Sequence, residues 1–309
     1  MPAEPTRPQP ARAVDGAALD AALRRLAHAA EPPWLHAEVA RRMRERLAIV
    51  KSQPEVIIDW WGHAGAGAAH LAEAYPRARR IVVEPTDALA ARSRGASRSP
   101  WWSARRWTQR EDAVRLDTGA DPVPPGGAGL LWSSMMLHAV ADPPALLARW
   151  HRALAIDGFA MFSCLGPGSL RELHALYREQ GWGDPGAAFV DMHDLGDMLL
   201  AAGFADPVMD QEVLTLTWSS PQALLAELRG LGGNASPARH AGLRTPRWRD
   251  RLLDALQSRV GADGRLGLGF EIVYGHAFKA APRVAPGGEA AFSVDEMRER
   301  LRAVRGRTG

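Results

Sequence analysis

The sequence predicts an α/β fold built on a parallel, doubly wound sheet, and three observations carry the prediction. Apolar runs recur at VII (56–58), IVVE (81–84), GLLWSSMML (129–137) and GFAMFSCLGPG (158–168). Helical patterns such as AGAAHLAE (66–73) and ADPPALLARWHRAL (141–154) lie between them, and strands alternating with helices call for a parallel sheet. The first apolar run also passes straight into DWWGHAGAG (59–67), a glycine-bearing connection to a helix.

Taken in order, residues 1–15 are proline-rich and aperiodic, which predicts a disordered N-terminal tail. A helical pattern runs from Ala17 to Val50, interrupted at Pro32 and Pro33, before the first strand ends at Asp59. The helix after the glycines reaches Tyr75 and Pro76. The Arg- and Trp-rich passage 92–115 gives no readable strand signal. Asp142 and Pro143 are placed as N-cap and first residue of the next helix. EVLTLTW (212–218) and FEIVYGHAFK (270–279) alternate like half-buried strands, with helices expected around 221–231 and 248–260 between them. That excursion, about 219–265, predicts a small helical lid over the ligand end of the sheet, inside a domain spanning 16–281. The tail 282–309 reads as loop up to SVDE (293–296), a capping box able to start a short helix.

Composition narrows the class. A chain of 309 residues, 46% hydrophobic and 24% charged, is long enough for a substantial core. A formal net charge of only +3 argues against a dedicated nucleic-acid binder. Cys164 is the only cysteine, which excludes an intrachain disulfide and a cysteine-cluster metal site. The N-terminus lacks the apolar segment of a signal peptide, and no run of about 18 apolar residues spans a membrane. The expectation is a cytoplasmic protein.

The glycine connection is the first candidate site. In a βαβ unit, glycines after the first strand and a carboxylate ending the second, roughly twenty residues on, cradle an adenosine-containing ligand. Here the glycines are Gly62, Gly65 and Gly67, and the carboxylate is Glu84. Glycine is read there as letting the backbone approach the ligand, and an ordinary tight strand-to-helix connection is the alternative. Trp60, Trp61, Trp101, Trp102 and Trp107 offer faces for an adenine or a sulfonium, or simply pack. DMHD (191–194) has the look of a metal cluster, but Asp191 and Asp194 equally open a helix and no second histidine cluster completes a ligand set, so no metal is expected. Ser134 and His138 lack a G-x-S-x-G context and read as structural or cofactor-lining. ARHAGLRTPRWRDR (238–251) is either a solvated face or a basic patch for an acidic partner.

FSCLGPGSLRELHALY (162–177), FVDMHDLGDMLLAAGFADPVMDQEVLTLTW (189–218), LLAELRGLGGNA (224–235) and YGHAFK (274–279) closely resemble the BioC family, the malonyl-acyl-carrier-protein O-methyltransferases of biotin synthesis. The resemblance covers roughly Leu23 to Lys279. It implies a class I methyltransferase fold, Rossmann-like with a seven-stranded, mostly parallel sheet, that uses S-adenosylmethionine. On that template Asp59 and Gly65 match the ends of a D-x-G-x-G-x-G loop, with Gly62 and Gly67 beside them, while Trp61 and His63 stand in place of glycines. Glu84 matches the ribose-holding acid, and Ser133 and Ser134 fall at the cofactor edge after a strand.

The resemblance further implies methylation of the free carboxylate of a malonyl thioester on acidic acyl-carrier protein, or on coenzyme A, by a monomer. A carboxylate is already ionised near neutral pH, so no general base is expected. Arg171, Arg244 and Arg247 are the candidates to hold it, with His193 and Tyr274 on the substrate side. Upstream, LRRLAHAAEPPWLHAE departs from the family's aromatic and Tyr-Asp pair. Two rivals stay open at this stage: a catalytically weakened or inactive relative that binds a carrier protein or regulates the pathway, and a nicotinamide-dependent oxidoreductase.

Overall fold

The computed structural model describes residues 14–96, 113–240 and 242–281. The tail expected over 1–15 falls outside them up to residue 13, as do Trp101, Trp102, Trp107 and the C-terminal tail from 282. Seven strands, β1 (Val56–Trp60), β2 (Arg79–Glu84), β3 (Ala113–Leu116), β4 (Ala128–Ser133), β5 (Leu154–Leu165), β6 (Ala205–Trp218) and β7 (Leu266–Phe278), form one sheet in the order β3-β2-β1-β4-β5-β7-β6. β1 to β5 pair in parallel, and β7 runs antiparallel to both its neighbours, β5 and β6.

The strand sequences explain their places. β1, β2, β4 and β5 are near-continuous apolar runs because both faces are covered. Ile58 and Trp60 pack in one cluster with Leu89, Leu147, Trp150 and Leu199, while Ile57 packs in another with Leu35, Met43 and Leu71. Successive strand residues thus feed opposite layers, as the pleat demands. The first layer contains α1 (Gly16–His28), α5 (Asp87–Ala96), α6 (Pro143–Ala153) and α8 (Met192–Ala201). The second contains α2 (Trp34–Leu47), α4 (Ala68–Ala74), α7 (Arg171–Gln180), α9 (Pro221–Gly230) and α10 (Pro246–Gln257). Asp142 caps α6 by accepting from the Ala145 N–H at 3.0 Å, with Pro143 at the first turn.

β6 begins at Ala205 and β7 at Leu266, both earlier than the alternating patterns suggest. The acids Asp210 and Glu212 sit in β6 because guanidinium groups of α2 pair with them: Arg46 meets Asp210 and Arg42 meets Glu212. Gly267 and Gly269 sit within the β7 ladder rather than in a loop. Because β6 is parallel to β1–β5, the segment with α9 and α10 leaves β6 at the carboxyl edge of the sheet. No helix among the described residues is long and apolar enough to cross a membrane.

Candidate active site

β1 ends in Trp60, and Trp61 then takes a left-handed conformation, φ 55° and ψ 46°. A single helical turn, α3 (Gly62–Gly65), follows, then Ala66 at φ 55° and the start of α4. A side chain at positive φ costs roughly 1–2 kcal/mol. Trp61 therefore keeps the backbone shape that a glycine would adopt freely, and holds it by donating its N–H to the Val83 carbonyl at 2.6 Å.

The glycines are also required by the sheet beneath them. A Cβ at Gly62 would lie 2.6 Å from Asp59 Oδ2, and one at Gly65 would lie 3.0 Å from the Ser134 carbonyl oxygen. At Gly67 it would collide with the Trp132 indole nitrogen. Close packing of α3 and α4 on β1 and β4 is thus a structural reason for glycine at all three positions.

Asp59 and Glu84 end up side by side under this turn. Asp59 is 1% exposed and pairs with Arg80 Nη1 at 2.9 Å. Glu84 is 0% exposed, and its Oε1 accepts from the His63 backbone N–H at 2.8 Å and from Ser93 Oγ at 2.6 Å. Burial pushes its carboxyl group up to about 7, and the Asp59 charge adds to the shift against those two hydrogen bonds and Arg80. Glu84 Oε2, Trp61 Nε1, His63 Nε2, Ser133 Oγ and Ser134 Oγ are all buried without a hydrogen-bond partner. Buried polar groups are ordinarily satisfied, so this cluster at the ends of β1, β2 and β4 is chemically incomplete.

Beside it lies a cavity of about 370 Å³ whose inner wall includes Trp61, Ala64, Met135 and His36. His36 Nδ1 donates to the Ala64 carbonyl at 2.8 Å, which leaves Nε2 bare. Burial pushes this imidazole down to about 4, so it is neutral at physiological pH. Three non-glycine residues of the wall, Trp61, Met135 and Leu170, carry positive φ. Backbone strain gathers around sites that surrounding packing over-determines.

Asp59, Gly62, Gly65, Gly67, Glu84, Ser133 and Ser134 are therefore brought together at one edge. The five residues expected on the substrate side are not: none of them lines the cavity. The Arg171 side chain is 77% exposed and 3.9 Å from Glu271. His193 is exposed, with Nδ1 2.8 Å from the helix-capping Asp191. Arg244 donates to the Trp182 carbonyl and stacks on Trp248, and Arg247 is exposed. Tyr274 is buried in β7 and donates to Glu212. The strings that carry them hold up α8, α10 and β7. Arg25, His36 and Arg229 do line the cavity, and the only sequence signal for them is polar residues next to the apolar stripes of α1, α2 and α9.

No family model matches the chain. It is 38% identical over 261 residues to a malonyl-(acyl-carrier protein) O-methyltransferase of Gallionella capsiferriformans, covering 84% of this chain and 89% of that one. A protein of the same description from Laribacter hongkongensis is 36% identical over 251 residues, covering 81% and 84%. Among solved structures, the YcgJ protein of Bacillus subtilis superposes with TM-score 0.53 at 12% identity, over 78% of this chain and 99% of that one. A methyltransferase-like protein of Bacillus halodurans also gives 0.53, at 13% identity, over 79% and 100%. The solved structures agree in fold alone. The sequence relatives, similar over nearly their whole length, go further: the chain belongs to the malonyl-(acyl-carrier protein) O-methyltransferase family.

Proposed function

We propose that the protein transfers a methyl group from S-adenosylmethionine to the free carboxylate of a malonyl thioester on acyl-carrier protein, or on coenzyme A, early in biotin synthesis. The observation that carries this reading is the unsatisfied polar cluster at the carboxyl edge, whose Trp61 also lines an apolar cavity, in a chain of this family.

The residues present fit such a cofactor. Glu84 Oε2 and the two serine hydroxyls supply acceptors and donors for a polar ligand. When bound, S-adenosylmethionine supplies an electrophilic methyl on a sulfonium. The chain's own work is alignment and exclusion of water. The malonyl carboxylate arrives ionised and needs no base. His36, neutral and fixed by Ala64, adds no cation that would quench it. Helices α9 and α10 serve as the lid, and the basic stretch that contains Arg244 and Arg247 faces an acidic carrier protein. The protein works as a cytoplasmic monomer, and neither nucleic acid nor membrane is a partner.

One observation favours a second reading, a catalytically weakened relative that binds a carrier protein or regulates the pathway. Glu84 is already engaged by His63 and Ser93, under a loop where Trp61 replaces glycine. Calorimetric titration with S-adenosylmethionine, followed by methyl transfer to malonyl-carrier protein, separates the two. Binding with turnover is the expected result, and absence of both in folded protein would select the second reading.

A further inference from the structure

The mouth of the cavity has a charge pattern that the methyl transfer does not use. Arg25 of α1 and Arg229 of α9 both line it and both are exposed, whereas Trp61, Met135 and His36 at its inner wall are 8%, 3% and 4% exposed. Arg25 is set in place: Nη2 donates to the Gly232 carbonyl at 2.6 Å. Gly233 lies so close under it that a Cβ there would be 3.3 Å from the same nitrogen. Gly232 and Gly233 both have positive φ, which lets this turn curl beneath the guanidinium.

Neither arginine forms an ion pair among those of the described residues, although Arg239 in the same neighbourhood pairs with Asp15. Burial and then the charges of Arg229 and Arg24 push the Arg25 guanidinium down from its ordinary value. Like charges face each other at the entrance to an apolar passage lined by Leu23, Leu26, Leu225 and Leu228. An anion between them would remove the repulsion, and guanidinium forks suit a tetrahedral phosphate oxygen pair.

We propose that Arg25 and Arg229 form a two-pronged clamp for the 4′-phosphate of a 4′-phosphopantetheine arm, gripping it at the mouth while the thioester end enters the cavity. The inference rests on the malonyl-thioester reading and adds which group of the substrate is held, and by which residues. Carrier protein holds this phosphate as a phosphodiester to serine and coenzyme A holds it as one half of a pyrophosphate, so both present it at the same end of the pantetheine. A carboxylate nucleophile, by contrast, belongs at the inner wall beside Trp61 and Met135, away from these exposed groups.

The test uses the full chain and two readouts. Calorimetric titration compares 4′-phosphopantetheine with pantetheine, which lacks only the phosphate. Wild type should prefer the phosphorylated arm by about tenfold, and Arg25→Gln with Arg229→Gln together should abolish the preference. Arg229→Gln alone should weaken it. The Arg229 side chain makes no hydrogen bond among the described residues, so that variant isolates charge from folding. In methyl transfer, the double variant should raise KM about tenfold for both malonyl-carrier protein and malonyl-coenzyme A, with kcat kept and malonyl-pantetheine unaffected. The wild-type ratio of kcat/KM for the two phosphorylated substrates names the natural source. Equal losses on malonyl-pantetheine would overturn the clamp, as would a loss confined to the carrier protein, since the arginines would then read the protein surface. If wild type prefers the phosphorylated arm yet methylates no malonyl thioester, the clamp stands and the methyltransferase reading falls.

Discussion

Along β6 and β7 the polar groups are paired. Tyr274 Oη donates to Glu212 at 2.7 Å, Arg42 and Arg46 reach Glu212 and Asp210, and Arg46 lies 3.7 Å over the Tyr274 ring. The ladder runs without interruption from Val208 opposite His276 to Trp218 opposite Leu266, and the charged side chains guard an edge strand against pairing with another chain. At the carboxyl ends of β1, β2 and β4, Trp61 is in a left-handed conformation, Glu84 is buried and raised to about 7, and buried hydroxyls and indoles go unpaired. The difference teaches where stability has been given up. One half of the sheet is built to hold together, and the other is kept ready for a ligand at some cost in free energy.

The strongest way to break this comparison is Asp59→Ala. Asp59 and Arg80 form a well-made ion pair at the strained edge, with Asp59 1% exposed and the Arg80 side chain 15% exposed. Removing the acid leaves a largely buried guanidinium without that partner, which typically costs about 4 kcal/mol. The expected outcome in urea denaturation is a midpoint lowered in proportion. A midpoint within error of wild type would mean that this edge does not depend on the pair.

Glu84→Gln comes next, and its sign depends on pH. The folded carboxyl group titrates at about 7 against an ordinary 4.5, so between those values the native state holds more protons than the unfolded chain. Stability then falls as pH rises from about 4.5 to 7, by on the order of 3 kcal/mol in all. The amide cannot ionise and keeps an oxygen for His63 and Ser93. The variant should be more stable than wild type at pH 8 and should lose that advantage near pH 4.5. Melting curves at the two pH values check it, and a constant offset would put the cause in packing rather than in ionisation.

These residues also mark what was legible in the chain. β1, β2, β4 and β5 could be read because burial on both faces leaves an apolar run that only a covered strand explains. The early start of β6 could not, because Asp210 mimics a loop until Arg46 of α2 is seen paired with it. Asp59, the glycines and Glu84 belong to one unit from β1 through α4 to β2, so local order was enough to gather them, and Ser133 and Ser134 lie at the end of β4, which pairs with β1. Arg25, His36 and Arg229 meet only through packing of α1, α2 and α9, which no spacing in the sequence records. Arg171, His193, Arg244, Arg247 and Tyr274 stand in distinctive strings, but distinctiveness does not say which way a side chain faces.

Trp61→Gly sharpens the comparison at smaller cost. Glycine relieves roughly 1–2 kcal/mol of left-handed strain but removes an indole that is 8% exposed, a loss of about 3–5 kcal/mol for a fully packed site. Because the indole borders the cavity, a net destabilisation of about 2 kcal/mol is expected. The same change opens the loop over Glu84, so S-adenosylmethionine should bind about tenfold more tightly, the equivalent of about 1.4 kcal/mol. Unchanged affinity in a calorimetric titration would show that Trp61 is not what crowds the cofactor edge.

Tyr274→Phe probes the well-satisfied half and should have the smallest effect. The ring stays in β7 and keeps its packing under Arg46, so only the hydrogen bond to Glu212 is lost. Glu212 does not become an orphan, because Arg42 still meets its other oxygen. A bond to a charged acceptor contributes roughly 1.5–3 kcal/mol when the partner is stranded, and with Arg42 retained about 1 kcal/mol is expected. The phenol is held above its ordinary pKa by burial and by Glu212, so it stays protonated up to strongly alkaline pH. The difference between variant and wild type should therefore be flat from pH 5 to pH 9, unlike that of Glu84→Gln. Urea midpoints across that range decide the matter: a slope would mean that titration shapes both halves of the sheet, and the contrast between them would be one of degree.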